Sequence, residues 1–522
     1  MAEMSLLDKA ISIISPQWAH SRLQYRRAIE ASSGRYRGAS SDRLRSDWNV
    51  VKTDPTPNAW ELEKLRNRTR DLSCNDPIVS GLVGTYGYNV VGSGLKFESR
   101  INNELLGITP EQAEIMRHEI ERIWEDAAKQ IDHAGILSFD EMQFQALMRV
   151  IEDGEMFPIP TMRNDPWRQI KRTIQHVEAD QLEKEGYGSP IDVDAGGRPT
   201  AYHFKEVEVD QFGNQRTVGH KTIPALDSQG RKKVLHLYRP SRPGQLRGVS
   251  ILAPILTLLK DFCDTREAYV VKERVQACLT VVFTKKNGNP VMEALGHSTS
   301  TEETNDTASN RLQALEPGLI YYNNEGDDVQ MLDPGKTGDG QSAFIENTIR
   351  LIGAACQLPY ELLLKDFSKT NYSSARAALL EGRRAFTTWR KWLARYYCQP
   401  IFELVMEEAV LRGLINLPGF YDRRSIYLTG DWVGGAWGWV QPVQEIEAAR
   451  RAVDYGLSTL ADENAAQGRD WENTVRQNAI ENRYIDAKGA LITRAQKNAH
   501  KNEDAPPTSQ NTKGNDDEQD NS

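Results

Sequence analysis

The chain has 522 residues, 39% of them apolar and 26% charged, and a net charge of −9. That length and mix suit a soluble globular protein of two to four domains, at roughly 150 residues each. The acidic balance excludes a whole-molecule basic field that would hold nucleic acid tightly, so any DNA contact must be local.

The N-terminal stretch MAEMSLLDKAISIISPQWAH carries Glu3 and Asp8 and has no secretory layout. No uninterrupted apolar run reaches the ~18 residues that span a bilayer. The cysteines, Cys74, Cys263, Cys278, Cys356 and Cys398, are scattered, odd in number and form no C-x-x-C pair. They read as buried thiols in a reducing compartment, not as a disulfide framework or a zinc site. Residues 20–45 hold seven arginines (Arg22, Arg26, Arg27, Arg35, Arg37, Arg43, Arg45) against Glu30 and Asp42. This is a peripheral arm, and nucleic-acid binding is its sharper reading.

Next comes a mixture of helix and strand. GLVGTYGYNVVGSGLKF reads as a turn between strands. Thr109, Pro110 and Gln112 form a capping-box start, and Ile115, Ile120, Ile123 and Trp124 fall roughly on one helical face. Ser138 and Glu141 form a second box, with Gly154 as the C-terminal stop. Strand patterns follow at EMFPIPTM, QIKRTIQHVEA, TAYHFKEVEV and KKVLHLYRP.

After RPSRPGQLRG the texture changes. Ser250 can cap a long helix, with Pro254 tolerated in its first turn. About 28 residues at roughly 1.5 Å each make a rod of about 40 Å. Its middle is charged: Lys260, Asp261, Asp264, Arg266, Glu267, Lys272, Glu273 and Arg274. In a ring of copies these charges would pair between neighbours or face a lumen. A strand (TVVFTKK), a polar stretch at 287–310, strands GLIYYN and DVQML, and the helix QSAFIENTIRLIGAACQL come next. Then DFSKTNYSS separates two helical blocks. Ser373 or Ser374 can cap the second, which runs to about Gly413 with a kink expected near residues 396–400 from Pro400. An aromatic loop (DWVGGAWGWVQP) and short helices close the ordered pattern, and residues 501–522 read as a disordered acidic tail.

Catalytic signatures are weak. Gly335-Lys336-Thr337 matches the end of a phosphate-binding loop, but Gln330 stands where its first glycine belongs and Pro334 removes a backbone N–H. A Gly-rich linker is the better reading. His176, Glu178 and Asp180 alternate as metal ligands on a strand would, but a solvated strand edge is the better reading. No G-x-S-x-G or H-E-x-x-H occurs. No enzyme activity, metal or cofactor is expected.

Several stretches, in this order and spacing, carry a resemblance. They are DLSCNDPIVSGLVGTYGYNVVGSGLKF, DGEMF, HVEADQL, GGRPTAYHF, LYRPSRPGQLRGVSILAPIL, EPGLIYYNNEG, GAACQLPYELLLKDFSKTNYSSARAALLEGRR and GDWVGGAWGWVQPVQEIEAARRAVDYGL. Together they cover most of residues 70–490, and the chain resembles the lambda-type portal proteins of tailed bacteriophages or prophages. The resemblance implies an α+β, mainly helical subunit. Its parts would be an N-terminal arginine-rich arm (1–70), an α+β wing (71–246), a first stem helix (247–278) and an α/β clip (279–340). A second stem helix (341–362), a tunnel loop with a long kinked tunnel helix (363–413), a C-terminal wing and crown (414–500) and the tail (501–522) would complete it.

The function implied is structural: a ring, typically of twelve subunits, at one capsid vertex of a virion, made in the host cytoplasm. Double-stranded DNA would be packaged and ejected through it. Its partners would be copies of itself, the DNA, the terminase large subunit, the major capsid protein and the head–tail connector or tail proteins, with no membrane. Lys365, Ser368, Lys369, Asn371 and Ser373 would face the channel from the tunnel loop, and Arg376, Arg383 and Arg384 from the helix. Lys285 and Lys286 would face terminase from the clip.

Between Lys365 and Arg395 eight basic residues (Lys365, Lys369, Arg376, Arg383, Arg384, Arg390, Lys391, Arg395) meet only Asp366 and Glu381, a local charge of +6. A strongly basic lining would brake DNA, because roughly 6–10 phosphate contacts already give firm binding. A few Lys and Ser side chains on a loop suit transient contact. The alternative is that Arg383, Arg384, Arg390 and Arg395 pair with a neighbour's carboxylates. Two other functions compete: a packaging ATPase or nuclease built on Lys336, and a DNA-binding head-completion protein led by the arginine arm.

Overall fold

A computed structural model describes residues 54–186, 188–212, 215–278, 281–283, 320–322, 339–368, 370–438 and 441–488. The chain divides into two units after Pro57, and the second carries everything below.

The arm expected over 1–70 lies largely outside the described residues. Helix α1 (Ala59–Asn75) starts in a capping box between Asn58 and Glu61 and buries Leu62, Arg66, Thr69 and Leu72. The stretch expected as a turn between strands is instead helix α2 (Pro77–Val90). Its start is local chemistry: the Asp76 carboxylate accepts from the N–H groups of Ile78 and Val79, and Pro77 takes the first helical position. Strand β1 (Lys96–Ser99) and a one-turn helix α3 (Asn103–Leu106) follow.

Both sequence-read capping boxes form. Thr109 and Gln112 open α4 (Pro110–Ala128), and Ser138 and Glu141 open α5 (Phe139–Asp153). Gly154 ends α5 in the left-handed region, φ 88°. On α4 the buried face is Ala113, Ile120, Ile123, Trp124 and Ala127; Ile115, expected on it, is 61% exposed.

Strand β2 (Glu155–Met162) pairs with β3 (Arg172–Glu178) and with the two-residue β7 (Leu237–Tyr238). A second sheet, β4 (Ile191–Val193), β5 (Pro199–Val209) and β6 (Gln215–Pro224), packs a smaller core of Phe157, Val177, Tyr202 and Phe204.

Chain segments cross tightly between the end of α5 and residues 248–250. A Cβ on Gly154 would lie 2.4 Å from the Val249 backbone, and one on Gly248 2.1 Å from the Gly154 carbonyl. The fully buried Glu155 carboxylate beside them accepts from Arg247 Nε at 2.7 Å and Gly248 N at 2.8 Å, and lies 3.1 Å from His236 Nε2. Burial alone would raise its pKa, but Arg247 and His236 hold it down at about 2.

The expected rod starts later than Ser250. Ser250 Oγ accepts from Leu252 N and donates to the Ile151 carbonyl, a 3₁₀ turn holds Pro254, and α6 runs Leu256–Cys278. The proline lacks an N–H and is tolerated in that tight first turn. Arg266 on α6 reaches Asp76 at 2.5 Å, tying the rod to the start of α2. Strands β8 (Val281–Phe283) and β9 (Ile320–Tyr322) pair in parallel.

Helix α7 (Asp339–Ala355), short α8 (Tyr360–Leu364) and α9 (Tyr372–Leu393) follow. Asn371, not Ser373 or Ser374, caps α9; its side chain accepts from Ser374 N at 2.8 Å. The kink expected at Pro400 takes the form of a π-helical stretch, Ala394–Cys398, before α10 (Gln399–Leu411). A wider turn relieves the clash of the proline ring with the preceding turn. Short α11 (Arg424–Tyr427) and β10 (Gly430–Val433) come next, and β10 pairs with β1, Lys96 opposite Val433. Helices α12 (Pro442–Asp454), α13 (Leu460–Ala466) and α14 (Trp471–Lys488) end the described chain.

Candidate functional site

The site is the α8–loop–α9 segment. Residues 382, 386, 389, 393 and 397 recur at helical spacing, and Gly382, Phe386, Trp389, Leu393 and Tyr397 are buried. Packing one stripe inward turns the opposite stripe outward. Ser373, Ala377, Leu380, Arg384, Thr388, Lys391 and Arg395 are all exposed. The close approach of α8 needs Gly382, where a Cβ would meet Leu362 Cδ1 at 2.1 Å.

The loop is short and internally bonded. Lys365 ends α8 in the left-handed region, φ 58°, and is exposed. Asp366 Oδ1 accepts from Ser368 N at 2.9 Å, and Thr370 Oγ1 donates to the Phe367 carbonyl. Ser368 and Asn371 are exposed. Lys369 lies outside the described residues, as do Lys285, Lys286 and the 335–337 glycine–lysine–threonine stretch.

The basic residues split into two groups. Arg376, Arg384 and Lys391 face outward, and Arg384 pairs with Glu381 at 3.1 Å on the exposed surface. Arg383 and Arg390 turn inward. Arg383 donates to the Gly438 carbonyl at 2.8 Å, and its guanidinium stands 5.8 Å from the Trp437 ring centroid. Arg390 lies 4.6 Å from the same ring and donates to the carbonyls of Val90 and Asn89. Burial pushes the Arg390 pKa down. These two residues clamp the aromatic loop to the helix through backbone oxygens.

Sequence reading missed one neighbour. Helix α7 brings Arg350 to a groove of about 790 Å³ that Tyr360, Glu381, Arg384 and Thr388 also line. Arg350 is 34 positions from Arg384, so no local pattern links them. A helical wheel of 341–358 would at least have marked it as exposed.

The His176, Glu178 and Asp180 pattern takes structural contacts. His176 hydrogen-bonds Tyr397 Oη at 2.8 Å and Gln145 Oε1 at 2.6 Å, and burial pushes its pKa down to about 3. Asp180 pairs with Arg66 at 2.8 Å, and Glu178 stands 3.7 Å from Arg70. Among the described residues no group of three or more His, Cys, Asp or Glu could hold a metal, and no helix is long and apolar enough to cross a membrane.

Residues 41–390 match the family model for the phage portal protein, lambda family. The chain belongs to the lambda family of phage portal proteins. It is 23% identical to portal protein B of Escherichia phage lambda over 482 residues, covering 85% of this chain and 89% of that one. The portal protein of Escherichia phage N15 is also 23% identical, over 81% of this chain and 84% of that one. A probable portal protein of Halomonas phage phiHAP-1 is 21% identical, covering 80% and 79%. Among solved structures, a chain from the neck of a native gene transfer agent particle with C12 symmetry aligns at a TM-score of 0.33 and 13% identity. That alignment covers 75% of this chain and 99% of the other. The mixed helix-and-strand portal fold and the role of portal, or head–tail connector, follow from the family. That family is structural rather than enzymatic.

Proposed function

We propose that copies of this chain form a ring at one vertex of a capsid, twelve in number by the resemblance, and that double-stranded DNA passes through its centre. The observation that carries this reading is the outward stripe of α9, which places Arg376, Arg384 and Lys391 on one exposed face behind the 365–371 loop. Few cations on an exposed face give weak, salt-sensitive phosphate contact, which lets DNA slide. Each copy repeats the stripe, so closure of a ring concentrates it around the axis. The residues between α6 and α7 would meet the terminase large subunit during filling and the tail connector afterwards. The wing would meet the major capsid protein. Synthesis in the host cytoplasm precedes assembly.

Class-averaged top views of the purified chain test the ring and count its copies; a monomer at every practical concentration would sink the reading. The double substitution Lys365→Ala with Lys369→Ala should cut DNA packaging or retention in assembled particles while rings still form. Loss of the rings themselves would instead make the loop a packing element.

A further inference from the structure

We infer that the junction of wing, first stem helix and α9 holds a carboxylate-binding cavity. The cavity measures about 420 Å³. That lies within the roughly 300–1,000 Å³ typical of small-ligand sites. Its walls come from five parts of the chain: Tyr86 on α2, Val150 and Gly154 at the end of α5, residues 239–254 leading into α6, the end of α7 and Trp389 on α9.

Arg239 is the single charged residue among those lining the cavity. Its guanidinium stacks on the Trp389 ring, 4.2 Å from the centroid. It makes no hydrogen bond or ion pair with any described residue, in contrast to Arg390, whose N–H groups reach three backbone carbonyls. Arg239 is exposed at the mouth of the cavity, and partial desolvation holds its pKa below the usual guanidinium value. Gln357 adds a second open donor: its side chain bonds nothing described, and its backbone sits in the left-handed region at φ 57°. Three of the other polar side chains are taken. Tyr86 donates to the Cys356 carbonyl, Ser241 donates to Gln245, and Ser250 donates to the Ile151 carbonyl.

One cation and one amide define the ligand. A guanidinium binds the two oxygens of a carboxylate with parallel N–H donors. A phosphate dianion would need a second cation, and the lining has none. Val150, Val249, Ile251 and Pro254 supply apolar wall, so the carboxylate arrives on an apolar stem. Two sources offer that chemistry: a free organic acid, or an acidic side chain of a neighbouring copy. The second source rests on the ring proposed above.

Isothermal titration of the full chain with hexanoate, with hexanamide and inorganic phosphate as controls, tests the site. Saturable hexanoate binding, weakened about tenfold or more by Arg239→Gln and several-fold by Gln357→Ala, marks a site for a free acid. Absence of hexanoate binding, together with rings that form in the wild type and with Arg239→Lys but fall apart with Arg239→Gln, marks a carboxylate supplied by a neighbour. Circular dichroism of each variant separates this from misfolding. Hexanamide or phosphate binding as well as hexanoate overturns the proposal. So does a wild type that binds nothing and whose rings ignore Arg239→Gln, which would leave the ring reading untouched.

Discussion

Helices α10 and α12 have the same length and opposite fates. Of the thirteen residues of α10, eight are buried, and Phe402 stacks on Phe97 with ring centroids 3.9 Å apart. Its acidic end is buried as well: Glu408 accepts from the N–H groups of Lys171 and Arg172, both at 2.8 Å, and so closes the start of β3. Helix α12 buries none of its thirteen. Val443 is 82% exposed, and Leu457 just beyond it 83%. Below, α14 is held to α4 by Arg117–Glu472 and Arg476–Glu114 ion pairs at the surface. An apolar pattern states that a helix has a face to cover; it does not state what covers it. The body of this chain covers its own faces, and the C-terminal helices leave theirs outward.

The sharpest break of that contrast is Phe402→Ala. Removing a wholly buried aromatic that also contacts Trp124 and Trp432 should cost about 3–5 kcal/mol in denaturant unfolding. A loss below about 1 kcal/mol would mean the packing around α10 is loose.

Next in size is the pH response of the half-buried His176. Its pKa falls from 6.5 to about 3 on folding, so the unfolded chain binds the proton first. Stability from this group is therefore complete above 6.5 and declines as pH drops toward 3, by up to ~1.4 kcal/mol per pH unit. In His176→Gln the slope of unfolding free energy against pH over that window should lessen by about one proton. An unchanged slope would place the proton uptake elsewhere.

The smallest effect belongs to α12. Val443→Ser or Leu457→Ser should change the stability of the isolated chain by no more than about 0.5 kcal/mol, because neither side chain leaves water on folding. A larger loss in the dissociated chain would erase the distinction between the two regions.

Legibility in the sequence followed the range of the interaction. Thr109 with Gln112, Ser138 with Glu141, and Gly154 are contacts within one or two turns, and each forms as read. The Asp76–Pro77 start of α2 is equally local, but five glycines downstream hid it behind a turn reading. Ile115 was misplaced because a wheel gives spacing and not the position of the neighbouring strand. In the candidate site, the loop and the cationic run could be read directly. The division of that run could not: Arg383 and Arg390 turn inward only because Gly438, Val90 and Trp437 arrive from distant segments.

By itself, then, the sequence determined the capping-box starts of α4 and α5, the Gly154 stop, the strands β2, β3 and β5, the local charge of +6 and, through the order of its motifs, the portal family. Only the tertiary structure decided which arginines remain outward, that Pro400 is met by a π-helical stretch, and that Arg239 is left with an open guanidinium beside a cavity. Caps and turns are closed by residues a few positions apart, so composition and spacing specify them. A guanidinium's partner is whichever oxygen folding brings within about 3 Å, and that is a property of the whole packed chain.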